Sequence, residues 1–262
     1  MILGASTQSP LADTAGAQRN GPVADMTRAD AKKLKLSVVM PVYNEEKTLE
    51  EIVRRVQATP FDKEIVLVND GSKDRSAQIM AELAARYDNV RCFHHEVNSG
   101  KGAALSTGFR KVTGDVVMIQ DADLEYDPND YGVLLQPILD GRADVVFGSR
   151  FLKGTYSKLH WKLHYLGNRS LTAFSNLFTN LDLTDMETCY KVFKREVADQ
   201  IHIQSRTFAV EPEFAAKVAK LKVRVYEVPI TYAGRGYSEG KKIGPKDAVI
   251  AMWAIVRFTL FS

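Results

Sequence analysis

The feature that most constrains this chain is an alternation of two patterns. The apolar runs 36–42, 65–68, 90–93, 116–119 and 145–147 are separated by segments whose apolar residues recur at helical spacing, as in Leu49, Ile52, Val53 and Val56. Runs of Val and Ile without polar alternation fit strands covered on both faces. They predict an α/β fold with a mostly parallel central sheet and helices on both faces. Further helices are expected over 74–86, 100–111 and 129–139. In such sheets ligands bind beyond the carboxyl ends of the strands, so the polar turns after these runs are where chemistry is expected.

The pattern loosens after Arg150. It predicts helices over 159–179, 213–219 and 247–261, with strands over 190–193 and 223–228, the last bounded by Pro229. Residues 1–34 are rich in small and polar types without periodicity and are expected to form a disordered leader. One domain over 35–244, with a mobile lobe after Arg150, and an amphipathic C-terminal helix over 245–262 complete the expected organisation. At 262 residues the core needs no disulfides, and Cys92 and Cys189 are expected to be reduced thiols, which fits a cytosolic setting.

A formal net charge of +3 gives no reason to expect a nucleic-acid partner. The charge is uneven, however. Lys217, Lys220, Lys222, Arg224, Arg235, Lys241, Lys242 and Lys246 stand against only Glu227 and Glu239. Such a segment fits phosphate or an anionic membrane face, and equally a solvated surface. No run reaches the ~20 apolar residues that span a bilayer, and the N-terminus lacks the basic start and apolar run of a signal peptide.

The strand 116–119 runs into Gln120-Asp121-Ala122-Asp123. Two carboxylates at i and i+2 point the same way from an extended chain. Hard cations such as Mg²⁺ or Mn²⁺ bind through one or two carboxylates plus substrate phosphates, so this pair suits a metal gripping a diphosphate. A solvated acidic turn is the alternative. Pro41-Val42-Tyr43-Asn44-Glu45 closes the first strand and opens a helix, whose free N–H groups suit an anion. Asp70, in Asn69-Asp70-Gly71-Ser72, is placed to accept hydrogen bonds from a base or ribose. Asn98-Ser99-Gly100-Lys101-Gly102 is a flexible loop that leaves Lys101 available to a phosphate, but it matches neither a dinucleotide fingerprint nor a P-loop.

These segments, with Gly148-Ser149-Arg150, occur in the order and spacing of family 2 glycosyltransferases. Over roughly 36–250 the chain resembles the dolichyl-phosphate and polyprenyl-phosphate hexose synthases. The resemblance implies a GT-A nucleotide-diphospho-sugar transferase fold. It implies that Pro41, Tyr43, Glu45 and Asp70 cradle the nucleotide and that Asp121 and Asp123 hold the metal on the donor diphosphate. It also implies that Arg150 and Arg169 meet the acceptor phosphate. Asn69 stands where many relatives carry a second Asp, which leaves the base and ribose preference open. Gln120 replaces no essential group of the family.

A sugar hydroxyl acceptor needs a general base, whereas a phosphate monoester is already ionised near neutral pH. Asp185 and Glu187 lie where related enzymes place a base, so a hydroxyl acceptor with Asp185 as base remains open, as does a non-catalytic sugar-nucleotide-binding subunit. The Gln-x-x-Arg-Trp signature of processive synthases is absent. His160 and His164 lack the Glu of a zinc motif and are not read as metal ligands. The terminal stripe Val249, Met252, Trp253, Val256, Phe258, Leu260 and Phe261 fits either core or a membrane interface. The expected reaction is inverting transfer of hexose from UDP-glucose or GDP-mannose to polyprenyl phosphate. It would take place peripherally on the cytoplasmic membrane face, on the protein alone or with a membrane subunit.

Overall fold

The computed structural model describes residues 34–152, 157–158, 162–207, 209–234 and 245–261. The leader 1–33 and His160 therefore lie outside the described residues. The first half alternates as the apolar runs require: β1 (Leu36–Val42), α1 (Leu49–Ala58), β2 (Lys63–Asp70), α2 (Ser76–Arg86), β3 (Val90–His95), α3 (Lys101–Phe109), β4 (Val116–Ile119), α4 (Tyr131–Leu139) and β5 (Val145–Ser149). A single 3-10 turn, Pro128–Asp130, precedes α4. The second half holds β6 (Ser157–Lys158), α5 (Lys162–Thr179), β7 (Lys191–Lys194), α6 (Arg195–Ala198), α7 (Val210–Leu221), β8 (Val225–Pro229), β9 (Tyr232–Ala233) and α8 (Pro245–Leu260).

Helix α1 shows why the elements form where they do. Leu49, Ile52, Val53 and Val56 make one buried face, with Glu50 and Glu51 in the first turn and Arg55 in the last. Acidic residues at the start and a basic one at the end complement the helix dipole. The helix stops at Thr59, which is extended (φ −68, ψ 146) ahead of Pro60, because a residue preceding proline disfavours the α conformation. Each of the four side chains, fully buried against the sheet, contributes roughly 1.5–3 kcal/mol.

The main sheet has seven described strands in the order β3-β2-β1-β4-β7-β5-β8. The pairs β1–β2, β2–β3, β1–β4 and β5–β8 are parallel, while β7 runs antiparallel to both β4 and β5. The chain first moves outward from β1 to β3 and then returns to the other side of β1 as β4. The switch point between β1 and β4 opens a crevice at their carboxyl ends.

The chain after Arg150 joins the same sheet: β7 is inserted between β4 and β5, and β8 extends the sheet beyond β5. Helix α7 begins at Val210 rather than near Glu213, and residues 159–161 at the expected start of α5 lie outside the described residues. The terminal helix, whose stripe fits either core or interface, buries Ala251, Ala254, Ile255 and Phe258 and packs on α7 and α5.

Candidate active site

The crevice between β1 and β4 is built from turns that brace one another. After β1, Asn44 adopts φ +56. Its Oδ1 accepts from Lys73 N (2.8 Å), while its own N–H donates to Ser72 Oγ (3.1 Å) and Glu45 N donates to Ser76 Oγ (2.9 Å). The turn after β1 is thus tied to the turn after β2. Pro41 and Tyr43 are half-buried at its rim, and Glu45 Oε2 accepts from Thr48 Oγ1 (2.9 Å). Gly71 has φ +68, and a Cβ there would lie 2.6 Å from Asn98 N, so the approach of the 97–98 backbone requires glycine.

Asp70 does not face the crevice as an open acceptor. It is 2% exposed; Oδ1 meets His95 Nδ1 (2.7 Å) and Ser99 N (3.0 Å), and Oδ2 accepts from Gly100 N (2.7 Å). It organises the 95–100 loop. That loop, expected to be flexible, is pinned from its other side as well. Gly102 N donates to Arg206 O (2.9 Å), and a Cβ on Gly102 would stand 1.9 Å from Ser205 O.

Lys101 is likewise not left open to solvent. Its ammonium lies 2.9 and 3.0 Å from the two oxygens of Asp121 and 3.0 Å from Glu211 Oε1. Glu211 Oε2 pairs with Lys191, which is fully buried and also donates to Thr188 O. Burial disfavours the Lys101 ammonium, but Asp121 and Glu211 outweigh it and hold its pKa well above the ordinary value. Glu211, in the first turn of α7, is the member of this cluster that sequence reasoning missed. A lone Glu before Pro212 carries no motif.

The two motif carboxylates lie beyond the strand, Asp121 just after it and Asp123 in the turn that follows. Strand β4 ends at Ile119, Asp123 Oδ1 accepts from Glu125 N (3.1 Å), and Leu124 takes φ +63. The alternation argument for their common direction therefore does not apply. A left-handed leucine is strained, at a cost of order 1–3 kcal/mol that surrounding contacts must hold. Gln120 supplies part of that hold. It is fully buried, its Oε1 accepts from Tyr131 OH (2.9 Å) and Tyr190 OH (2.8 Å), and its Nε2 donates to Asp121 O (3.0 Å). The turn is also anchored by Tyr232 OH on Glu125 Oε2 (2.9 Å).

At the end of β5, Arg150 forms a two-point pair with Asp185: Nε to Oδ2 and Nη2 to Oδ1, both 2.7 Å. Its guanidinium lies over the rings of Phe151 (5.3 Å) and Tyr232 (5.1 Å). Asp185 is fully buried, and its backbone N–H donates to Glu227 Oε1 (3.0 Å). Arg169 is exposed on α5 and makes no hydrogen bond or ion pair to this cluster among the described residues. Glu187 is half-buried, and its Oε1 is shielded without a hydrogen-bond partner among the described residues. Burial, reinforced by Glu211 and opposed by Lys191 and Arg150, pushes it up to about 7.

Among the described residues no group of three or more His, Cys, Asp or Glu side chains forms a metal cage. Asp121 and Asp123 supply hard oxygen donors at the crevice, and Asp121 already carries a cationic partner on both oxygens. That donor chemistry fits Mg²⁺ or Mn²⁺ bound jointly with phosphate. Cys92 and Cys189 are both free thiols.

The family model described as glycosyl transferase family 2 matches residues 37–202. The chain is 31% identical to the dolichyl-phosphate beta-glucosyltransferase ALG5D of Trichomonas vaginalis, over 88% of this chain and 75% of that one. It is 29% identical to the dolichol-phosphate mannosyltransferase of Pyrococcus furiosus, over 80% of this chain but only 60% of that protein's length. Its fold superposes on glucosyl-3-phosphoglycerate synthase from Mycobacterium tuberculosis, solved with Mn²⁺, uridine diphosphate and phosphoglyceric acid. The TM-score is 0.66 at 17% identity, covering 94% of this chain and 85% of that one. The mostly parallel sheet with helices is the GT-A architecture.

Proposed function

The chain belongs to glycosyl transferase family 2, and we propose that it transfers a hexose from UDP-glucose or GDP-mannose to a polyprenyl or dolichyl phosphate, with inversion and with help from Mg²⁺ or Mn²⁺. The observation that carries the choice of acceptor is the state of Asp185. A general base must reach the proton it removes, yet this carboxylate is fully buried with both oxygens spent on Arg150. A phosphate acceptor needs no such base. The names of the relatives, which act on dolichyl phosphate, support the same choice.

In this reading an oxygen of the acceptor phosphate attacks C1 of the hexose. The bond from C1 to the β-phosphate oxygen of the donor breaks, and its electron pair leaves with the nucleoside diphosphate. Asp121 and Asp123 would hold the divalent cation, which when bound supplies Lewis-acid stabilisation of the departing diphosphate. Pro41, Tyr43 and Glu45 line the rim that receives the nucleotide, over the loop that Asp70 fixes. Arg150, held flat by Asp185 and the two rings, presents the Nη1 edge that Asp185 does not engage, and Arg169 adds positive charge from α5. Guanidinium edges suit phosphate oxygens.

The acceptor lies in a bilayer, so the protein works peripherally at a membrane surface, alone or with a membrane subunit. The test is a donor screen with Mg²⁺ and Mn²⁺, reading nucleotide release with and without polyprenyl phosphate. Release that depends on the lipid phosphate and disappears in Asp121→Ala/Asp123→Ala is the expected result. Turnover of that double variant in a chelator would remove the metal from the mechanism. Transfer to a free sugar hydroxyl, lost in Asp185→Asn, would replace the acceptor.

A further inference from the structure

The cation on Asp121 comes from the protein itself. Lys101 spans both oxygens of Asp121 at 2.9 and 3.0 Å and Glu211 Oε1 at 3.0 Å. The two ends of this bridge differ. Glu211 is 4% exposed, sits in the first turn of α7 where the helix dipole favours a carboxylate, and is held from its other oxygen by the fully buried Lys191. Asp121 stands at the crevice rim on a turn, with its side chain 19% exposed. Lys101 is therefore fixed at the Glu211 end and exchangeable at the Asp121 end.

We infer that Lys101 is a resident counter-ion that a divalent cation displaces from Asp121, and that Glu211 is the positioning residue that keeps the displaced ammonium beside the site. This rests on the reading of Asp121 and Asp123 as metal ligands. The charges of Asp121, Glu211, Lys101 and Lys191 cancel as they stand. A divalent cation arriving alone brings two positive charges against an ammonium that cannot leave. One arriving with a diphosphate brings the anion that the released Lys101 donors can take. Metal and nucleotide binding are coupled through this one side chain, and the free enzyme binds metal weakly. The buried Cys189 thiol beside Asp121 is kept neutral by burial and takes no part in the exchange.

The test is titration of the full chain with MnCl₂, with free Mn²⁺ read by electron paramagnetic resonance, in the absence and presence of UDP or GDP. The variants are Lys101→Met, Lys101→Gln and Lys101→Arg, with circular dichroism confirming the fold. Removing the ammonium should tighten binding of Mn²⁺ alone by about tenfold and abolish most of the tightening that nucleotide gives the wild type, within the usual range of coupling between sites. The arginine variant, which keeps the charge, should bind Mn²⁺ alone as weakly as the wild type. Glutamine serves if methionine does not fold. Equal or weaker binding of Mn²⁺ alone by the folded neutral variants overturns the inference while leaving the metal reading intact. Absence of Mn²⁺ binding in every arm, nucleotide included, overturns both.

Discussion

Glu187 is pushed up to about 7, chiefly by burial, with Glu211 adding to the effect and Lys191 and Arg150 opposing it. Its folded pKa lies above the unfolded carboxylate value of about 4.3, so the neutral form stabilises the fold. That contribution is complete below about pH 4 and is lost as pH rises through 7. It amounts to at most about 4 kcal/mol, less for a half-buried group. Glu187→Gln should therefore melt at a higher temperature than the wild type at pH 8, with the gap closing as pH falls to 4, as read by differential scanning calorimetry. A difference that does not change with pH would remove this account. At this scale the sequence was only partly legible. Asp121 and Asp123 stand out because they follow an apolar run, and Pro41, Tyr43 and Glu45 because they close one. The partners that decide what Asp70, Lys101 and Arg150 do are His95, Glu211 and Asp185, each brought in from a distant element. Gln120, unremarkable in sequence, acquires meaning only when Tyr131 and Tyr190 meet over it.

Asp144 joins three elements. It lies just ahead of β5, is 2% exposed, and accepts from Arg224 N (3.0 Å), Nε (3.0 Å) and Nη2 (2.8 Å) at the start of β8. The buried Lys194 ammonium at the end of β7 lies 3.1 Å away. Removing one partner of a buried pair leaves the other charge uncompensated, at a cost of about 3–5 kcal/mol. Asp144→Ala should lower the urea midpoint accordingly without changing the m-value, and loss of less than about 1 kcal/mol would show that Lys194 finds water instead. Asp144 is also held below the usual carboxylate range; burial opposes this, and the Arg224 and Lys194 hydrogen bonds outweigh it. Its contribution is present above about pH 4 and falls away as acid protonates it. In the second half the strands expected over 190–193 and 223–228 are present as β7 and β8, but their places in the sheet were not legible. Strands β1, β2 and β4 carry apolar runs rich in Val and Ile. Strand β7 is four residues, Lys191–Lys194, with a lysine at each end. It runs antiparallel between β4 and β5, and its two lysines are held in buried ion pairs with Glu211 and Asp144.

The molecule as a whole presents an apolar face that its own core does not use. On α8, Val249 and Trp253 are each 62% exposed and Leu260 58%, at helical spacing, while Ala251, Ala254, Ile255 and Phe258 point inward. Helix α5, which packs beside α8, adds exposed Tyr165, Leu166 and Leu177. Large exposed apolar side chains gathered on two neighbouring helices mark an interaction surface. No helix among the described residues is long and apolar enough to cross a membrane. Within the basic segment, Lys220 and Lys222 are exposed. Lys217 is paired with Glu213 and Arg224 with Asp144, Arg235, Lys241 and Lys242 fall outside the described residues, and the side chain of Lys246 is not described. Apolar insertion by this face and attraction of the basic residues are both expected to contribute to attachment to the bilayer that holds a polyprenyl phosphate, so salt should weaken it in part. Truncation before α8 would remove Ile255 and Phe258 from the core and could not separate anchoring from folding. Val249→Glu with Trp253→Glu can, because both side chains are mostly exposed. Full burial of each would be worth roughly 1.5–3 kcal/mol, so the double variant should bind anionic vesicles at least about tenfold more weakly in a sedimentation assay while melting at the same temperature. If it bound as well as the wild type, this face would not be the membrane surface; a wild-type chain that ignored vesicles at low salt would instead make a membrane subunit the anchor.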